Sequence, residues 1–322
     1  TELGLSIEDA VKAADKRVVS IPYLGVSRGR KESLLLSSRG VSYSKQTNEV
    51  AAWCGPLLQD ADSRKSGMQI YHRREWDPHV GKRIAEEAVE KAAELLKASP
   101  ISGGKLPVVL DEYMAPRFLG MFFGAFSAES AQRGMSRLQG RLGETIAIPE
   151  LTLLDDPHRQ GANRSCFLDA EGFLTKPLSL IEEGVFRNFL YHVESANKEK
   201  KSSTGHAVRG YSGGISTRSH NLVWPTGELN LEQLCAQNSK CLLVTQLEGQ
   251  AGCNPVSGDI SIGVQGFLIE NGRRIQPVDS ITLAGNFFDV LLNIRGSGNT
   301  YQPELTHSFI PALLIEGLTV SG

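Results

Sequence analysis

The sequence lacks a long apolar segment. Its longest nearly uninterrupted apolar stretch, Phe118 to Phe126, falls well short of the roughly 20 residues that a membrane-spanning helix needs. The first residues also lack the charged region and the apolar region of a secretory signal peptide. We therefore expect neither a membrane partner nor export, and we predict a cytoplasmic location.

The chain also lacks an excess of basic residues. It contains 34 Lys and Arg against 36 Asp and Glu, which gives a formal net charge of −2. Proteins that bind nucleic acid need clustered positive charge to neutralise phosphates, and this sequence contains no basic stripe. We therefore expect no nucleic-acid partner.

Cysteine is scarce, and the five cysteines are widely scattered. Their number is odd and no two form a C-x-x-C pair, so a disulfide framework is not predicted. This usage favours a reducing compartment, in agreement with a cytoplasmic location. The cysteines are Cys54, Cys166, Cys235, Cys241 and Cys253.

The histidines do not predict a local metal site. Zinc peptidases usually place two histidines one helical turn apart, because that spacing brings both rings to one ion. The seven histidines are His72, His79, His158, His192, His206, His220 and His307, and no two are closer than the pair His72 and His79. A site assembled from distant residues, namely His206, His220 and Cys253, remains open.

The 33 glycines and the many short apolar runs indicate a strand-rich protein with many turns. The expected fold class is α/β (α+β): an antiparallel meander plus helix lobe, followed by a larger strand-rich C-terminal lobe with one buried helix. A Gly-rich turn predicts a boundary between domains 1–103 and 104–322. The β segments of the meander are predicted over Arg17 to Ile21, Glu32 to Ser37, Gly40 to Ser44, Val50 to Leu58 and Gly67 to His72.

Two helices are predicted. Asp77 and Pro78 suit the start of the first helix, and a stripe of apolar residues at helical spacing predicts the face that packs on the sheet. The stripe consists of Ile84, Ala88, Ala92, Leu95 and Leu96. The second helix is predicted over Met114 to Leu138, where Gly120 and Gly124 would let another backbone approach closely.

One string matches a hydrolase motif. Residues 210–214 read G-x-S-x-G around Ser212, and His307 with Asp259 or Asp279 could complete a catalytic triad. That motif requires a strand before the serine and a helix after it. Here a charged loop precedes the serine and no helical stripe follows, so the sequence favours a Gly-rich loop.

A series of landmarks in the last third of the chain resembles the TldD/PmbA family, in the same order as in that family. They are Thr204 to Ala207, Val244 to Gln250, Gly258 to Gly263, Gly266 to Gly272, Pro277 to Asn286 and Glu316 to Val320. The similarity continues upstream through Phe173 to Lys176, Ile181 to Gly184 and Pro107 to Leu110. Several landmarks at matching separations are more specific than any one of them.

The zinc motif of the family is absent at its matching positions. In the catalytic TldD-type members, a helix carries H-E-x-x-x-H, whose histidines bind zinc and whose glutamate handles a water proton. The resemblance places these three residues at Gly120, Met121 and Ala125, and a further zinc-binding cysteine near Ser297. Without imidazole, carboxylate and thiolate, neither activation of water by a metal nor general-base catalysis is expected there. The resemblance therefore implies the PmbA/TldE-like branch, with no catalytic residue, no metal and no cofactor in this chain.

Such a subunit is implied to pair with a TldD-like metallopeptidase subunit, which would hold the zinc and cut short or unfolded peptides. A homodimer remains open. Family members usually carry a further α/β segment at the N-terminus. Residues 1–103 would then be the C-terminal part of that family's N-terminal α/β domain, truncated upstream, and residues 104–322 the strand-rich C-terminal domain.

Peptide contact is predicted in Gly-rich loops that flank β-type runs, at Gly205, His206 and Gly258, by strand addition. Two other functions stay open. One is an autonomous hydrolase that uses Ser212 or the dispersed His/Cys metal site, and the other is a homodimeric peptide-binding scaffold. Metal content and peptide hydrolysis of the isolated chain would test the first, and co-purification would test the second.

Overall fold

Two strands of 19 residues each dominate the first part of the chain. The computed structural model describes residues 2–38, 40–210, 212–302 and 307–322. The elements of the first part are α1 (Glu2–Ala14), β1 (Val18–Leu36), β2 (Ser42–Asp60), β3 (Ser63–Ser66), β4 (Gln69–Arg73) and α2 (Val80–Leu95). β1, β2 and β3 pair in that order, β4 pairs with β2, and every pairing is antiparallel.

The predicted meander is confirmed as a sheet, but its segments are fewer and longer than the sequence indicated. The residues between the predicted segments, such as Gly25, Gly29 and Asn48, lie inside β1 and β2, because the long antiparallel ladder pairs the backbone before and after them. Gly25 is needed within the ladder, since a Cβ at this position would overlap the Trp53 ring. Long-range pairing therefore decided the length of these strands.

The predicted apolar stripe of α2 is confirmed. Ile84, Ala88 and Ala92 are fully buried against the sheet, together with Ile7 and Val11 of α1. The helix begins at Val80, later than predicted. The Asp77 carboxylate accepts a hydrogen bond from the His79 backbone N–H at 2.9 Å, ahead of the first turn.

The second part of the chain is strand-rich. Its first elements are β5 (Gly104–Lys105), β6 (Val108–Leu110), α3 (Met114–Gly120), a 3-10 turn (Phe123–Phe126), α4 (Ala128–Gln132), β7 (Leu153–Asp155), β8 (Leu178–Glu182), β9 (Val185–Phe186), α5 (Val193–Lys198), β10 (Ala207–Arg209), β11 (Ile215–Thr217) and β12 (Leu222–Val223). The remaining elements are α6 (Leu231–Cys235), β13 (Lys240–Glu248), β14 (Asp259–Glu270), β15 (Arg273–Asn286), α7 (Phe287–Leu292), β16 (Ile294–Ser297), β17 (Ser308–Phe309), β18 (Leu313–Ile315) and β19 (Thr319–Ser321).

An eight-stranded sheet forms the centre of this part, in the order β16-β18-β6-β13-β14-β15-β19-β5. Only the β6–β13 pair is parallel among its described pairings. Side chains of β13 alternate between two cores: Leu242 and Val244 face one and Leu243 faces the other. A smaller sheet, in the order β17-β12-β7-β8-β9, contributes to the first of these cores through Leu153, among others. The α/β fold class is thereby confirmed.

The predicted long helix from Met114 to Leu138 is wrong. α3 ends at Gly120, a single 3-10 turn follows, and the extended backbone of Ser127 (φ −78°, ψ 126°) separates that turn from α4. The Ser127 hydroxyl accepts a hydrogen bond from the Ser130 N–H, so it caps α4. A serine that can cap a new helix, following two glycines, favours three short pieces over one continuous helix.

Polar side chains join the two parts of the chain. Lys65 forms an ion pair with Asp279, and Gln69 donates to the Tyr113 hydroxyl at 2.6 Å. Lys91 donates to Gln69 at 2.8 Å and lies 4.2 Å from the centre of the Tyr113 ring. Within the described ranges, no helix is long and apolar enough to cross a membrane.

Candidate functional site

A cavity of about 490 Å³ opens at the end of α3. Gly120 and Gly124 form part of its wall, and a Cβ built on either glycine meets no atom within 4 Å. The prediction that these glycines admit a close backbone is therefore wrong. Their missing side chains leave space in the cavity instead.

The predicted zinc-motif positions do not provide a metal site. Gly120 lies on the cavity wall, whereas Ala125 is only 1% exposed and belongs to the core, and Met121 packs against that core. Ser297 lines a different cavity, beside Trp224. A hydrogen, a thioether, a methyl and a hydroxyl are the groups at these positions, so a zinc ion held by imidazole and thiolate does not fit here.

Positive charge is concentrated in the glycine-walled cavity. Arg117, Arg164 and Arg218 line it together with His307, and no carboxylate is found among the described residues of its lining. Within the described part of the chain, none of the three guanidiniums forms a hydrogen bond or an ion pair. Burial, and then repulsion from Arg218, lowers the pKa of Arg164 to about 10. This site is therefore rich in unpaired donors.

His307 stays neutral beside these arginines at pH 7. Burial, followed by repulsion from Arg164, His72 and Arg218, lowers the pKa of His307 to about 4. The rest of the wall combines polar and apolar groups: the described lining also contains Pro116, Phe123, Ser127, Leu190, Thr217, Ser219, Leu222 and Ser308.

A buried cluster of Asp155, His206 and His220 lies behind the cavity. One carboxylate oxygen of Asp155, Oδ2, contacts His206 Nε2 at 2.6 Å and His220 Nδ1 at 3.1 Å, and it also accepts from the His220 backbone N–H at 2.9 Å. Asp155 and His206 are fully buried and His220 is 6% exposed. The cluster joins the end of β7 to the segments that precede β10 and β12.

The charges of this cluster balance within the protein. Burial disfavours the charged form of His220, but hydrogen bonds with Asp155 and Cys166 outweigh it and raise the pKa of His220 to about 9. Burial likewise opposes ionisation of Asp155, and hydrogen bonds with both histidines hold its pKa below the usual range. At pH 7 the cluster therefore contains a buried imidazolium–carboxylate pair.

The same three side chains carry suitable metal-ligand atoms, all within 4.8 Å of one another. Tetrahedral ligands about 2.0–2.1 Å from a zinc ion stand about 3.3 Å apart. The observed separations of 2.6 and 3.1 Å are shorter and match hydrogen bonds. The dispersed site left open for His206, His220 and Cys253 is thus corrected: the two histidines meet, but Asp155 is their partner, and Cys253 packs against the core of the large sheet.

We expect the stability of the protein to fall at alkaline pH because of His220. Its pKa is about 6.5 when unfolded and is raised to about 9 in the fold. The stabilisation is therefore complete below pH 6.5 and is lost as the pH rises through about 9. Urea unfolding at pH 6.5 and pH 9.5 should give a lower midpoint at the higher pH. His220→Gln should remove most of that difference, and an equal fall in both proteins would contradict this assignment.

The G-x-S-x-G string is not a nucleophile elbow. Ser212 is exposed between β10 and β11, which pair antiparallel as a hairpin, so a strand follows the serine where the motif needs a helix. The carboxylates proposed for the triad are engaged elsewhere: Asp259 accepts from Ser257 at 2.6 Å, and Asp279 pairs with Lys65. Tyr211 of the string lies outside the described residues.

The residues predicted to contact peptide are buried. Gly205, His206 and Gly258 all lie inside the protein. The Gly258 N–H donates to the Asn254 carbonyl and its own carbonyl accepts from Phe287, so this backbone is already bonded within the chain. Peptide contact at these three residues stays a prediction, and it would require local opening.

Sequence reasoning missed Asp155, Arg164 and Arg218. No motif surrounds them, and Arg218 lies far along the chain from the other two. The only local signal is Asp155 itself, a charged residue directly after the apolar pair Leu153 and Leu154, which indicates a carboxylate at the buried end of a strand.

Comparison with known proteins identifies the class to which this fold belongs. Residues 103–322 match the PmbA/TldA metallopeptidase C-terminal domain, and residues 1–96 match the PmbA/TldA metallopeptidase central domain. A Metalloprotease PmbA homolog of Haemophilus influenzae is 30% identical over 100% of this chain and 69% of its own length. The chain belongs to the TldD/PmbA family of PmbA/TldE-type metalloproteases, and the resemblance noted in the sequence is confirmed.

Other relatives agree with this assignment. Metalloprotease PmbA of Escherichia coli O157:H7 is 30% identical over 94% of this chain and 65% of its own length. A crystal structure from Thermotoga maritima, described as a modulator of a DNA gyrase, is 29% identical to this chain, with a TM-score of 0.91. The match covers 99% of this chain and 73% of that one. TldE of Thermococcus kodakarensis, at 24% identity and a TM-score of 0.85 over 99% of this chain and 72% of its own, shares the fold.

Proposed function

We propose that this chain is a PmbA/TldE-like subunit that holds no catalytic zinc and works beside a TldD-like metallopeptidase subunit on short or unfolded peptides. One observation supports the proposal: in a member of this family, the positions that the resemblance matches to the zinc motif hold Gly120, Met121 and Ala125, none of which carries a zinc-ligand side chain. The catalytic metal would then belong to the partner, and this chain would guide peptide. A reducing, cytoplasmic compartment agrees with the five free cysteines.

An autonomous metal-dependent hydrolase is the second candidate, because Asp155, His206 and His220 could together ligate an ion. Their burial argues against it, since a catalytic metal needs an open position for water or substrate. A homodimer that binds peptide without an enzymatic partner is a third possibility.

We expect the purified chain to contain far less than one zinc ion per molecule and to leave unstructured peptides uncut. The physical reason is the lack of donor side chains at the motif positions. Metal content by mass spectrometry and hydrolysis of a quenched fluorescent peptide would measure both. Addition of a TldD-like chain carrying H-E-x-x-x-H should form a complex and give cleavage that a chelator abolishes.

The Asp155→Asn variant serves as the control for metal content. Stoichiometric zinc in the original chain that disappears in this variant, together with turnover by the chain alone, would establish the hydrolase instead. A stable homodimer that ignores the TldD-like chain would favour the scaffold.

A further inference from the structure

We propose that the glycine-walled cavity binds the C-terminal carboxylate of a short peptide, with Arg164 and Arg218 as the main donors. The inference rests on the proposed function in that it takes a peptide as the ligand. It adds a recognition site and its chemistry, neither of which the zinc motif provides.

Among the described residues, no carboxylate compensates the positive charge of the cavity lining. Arg164 and Arg218 have no ion-pair partner in the described part of the chain, although like charges close together repel. Asp155 is the carboxylate that interacts electrostatically with Arg164, and it is already bonded to His220 and His206. A ligand anion would therefore be the group that balances these guanidiniums, and the planar fork of arginine suits a carboxylate.

Hydrogen bonds hold the backbones of Arg164 and Arg218 next to the buried cluster. The backbone N–H of Arg218 donates to the His206 carbonyl at 3.1 Å, and the backbone N–H of Arg164 donates to Asn221 Oδ1 at 3.2 Å. Asn221 follows His220 directly, so both backbones are tied to one rigid region. Such anchoring lowers the entropy that the site loses when a ligand binds.

The remaining wall matches a terminal residue rather than a bare anion. Phe123, Leu190 and Leu222 offer apolar contacts, while Ser219 and Ser308 bring hydroxyl groups to the same cavity. The volume of about 490 Å³ leaves room for the side chain of the last residue as well as its carboxylate. We therefore expect a preference for an apolar last side chain.

The open wall at Gly120 and Gly124 gives a way to fill the site without touching the arginines. Neither glycine has a positive φ, and a Cβ at either meets nothing within 4 Å. Gly124→Leu would thus place a side chain in the cavity and leave the charge unchanged.

The test measures binding to the intact chain by fluorescence anisotropy. The probe is an N-terminally labelled pentapeptide of four alanines and a final leucine, with either a free carboxylate or a C-terminal amide. We expect the amide to bind about tenfold to hundredfold more weakly, since hydrogen bonds to a charged group are lost. An amidated peptide of the same length with an internal glutamate separates a terminal carboxylate from a side-chain carboxylate, and inorganic phosphate tests for any small anion.

Three variants and one control locate the site. Arg164→Gln, Arg218→Gln and Gly124→Leu should each bring the affinity for the free acid close to that for the amide. Arg209→Gln removes a charge from an exposed position on the same hairpin, outside the cavity lining, and should leave affinity unchanged. Circular dichroism spectra and urea midpoints would check that the variants fold. Arg218→Gln should disturb folding least, because Arg218 is exposed.

Equal binding of acid and amide, no binding of either, or an equal loss in Arg209→Gln would overturn the proposal. Phosphate or the internal glutamate competing as well as the terminal carboxylate would overturn the assignment to a C-terminus. None of these results depends on zinc or on a TldD-like chain, so the proposed function is judged separately by metal content and hydrolysis.

Discussion

Replacing Asp155 with asparagine should lower the free energy of unfolding by about 3–5 kcal/mol. The carboxylate is completely buried, and its Oδ2 accepts hydrogen bonds from His220 and contacts the His206 ring. Asparagine keeps the shape of the side chain but removes the charge that holds His220 protonated. A buried imidazolium would then be left unpaired, or the ring would lose its proton and the pair would be lost. Urea unfolding at pH 6.5 would measure the change.

Asp259→Asn is the matched control for Asp155→Asn. This carboxylate is exposed and bonds to Ser257 and Asn286, so its loss should leave the urea midpoint almost unchanged. A double variant, Asp155→Asn with His220→Gln, should be less destabilised than the sum of the single changes, because the two groups act as a pair. Strict additivity, or an Asp155→Asn variant as stable as the control, would refute the buried ion pair.

Replacing Phe122 with alanine should also cost about 3–5 kcal/mol. Phe122 is fully buried, stacks on Phe287 with ring centres 4.9 Å apart, and meets Phe118 edge to face at 6.2 Å. The ring lies between Gly120 and Gly124 in the chain and ties this broken helical segment to the start of α7. Its removal leaves a cavity that close-packed neighbours fill only in part. The urea midpoint and the affinity for the free-acid peptide should both fall.

Phe173→Ala provides the comparison, since this ring is 43% exposed. Its removal should change the free energy of unfolding by less than about 1 kcal/mol. Similar losses in the two variants would mean that the Phe122 ring does not anchor the segment as described.

The two predictions concern residues that hold the walls of one cavity. Asp155 fixes the loops that carry Arg164 and Arg218, while Phe122 fixes the glycine wall opposite them. The cavity beside Gly120 is thus lined by cationic side chains, and none of its described lining residues is a carboxylate. That arrangement agrees with a subunit that receives peptide and leaves bond cleavage to another chain.

The amino-acid sequence by itself determined the fold class, the amphipathic face of α2 and the family. These are local or ordered properties: helical spacing, alternation of apolar residues, and landmarks in a fixed order can each be read along one chain. The placement of the zinc-motif positions at Gly120, Met121 and Ala125 stays a prediction. The length of β1 and β2 and the break after Gly120 were not predicted, because strand pairing and the cap at Ser127 depend on their surroundings.

Only the tertiary structure decided the composition of the site. Asp155, His206 and His220 are separated by many residues, and the fold brings them together because β7 ends in the region where β10 and β12 begin. The same convergence places Arg164 and Arg218 around a space that Gly120 and Gly124 leave open. Burial lowers the pKa of His307, whereas at His220 the hydrogen bonds with Asp155 and Cys166 outweigh burial and raise the pKa. A sequence gives the identity of each group, but its distance to a partner and its exposure to water exist only in the folded chain.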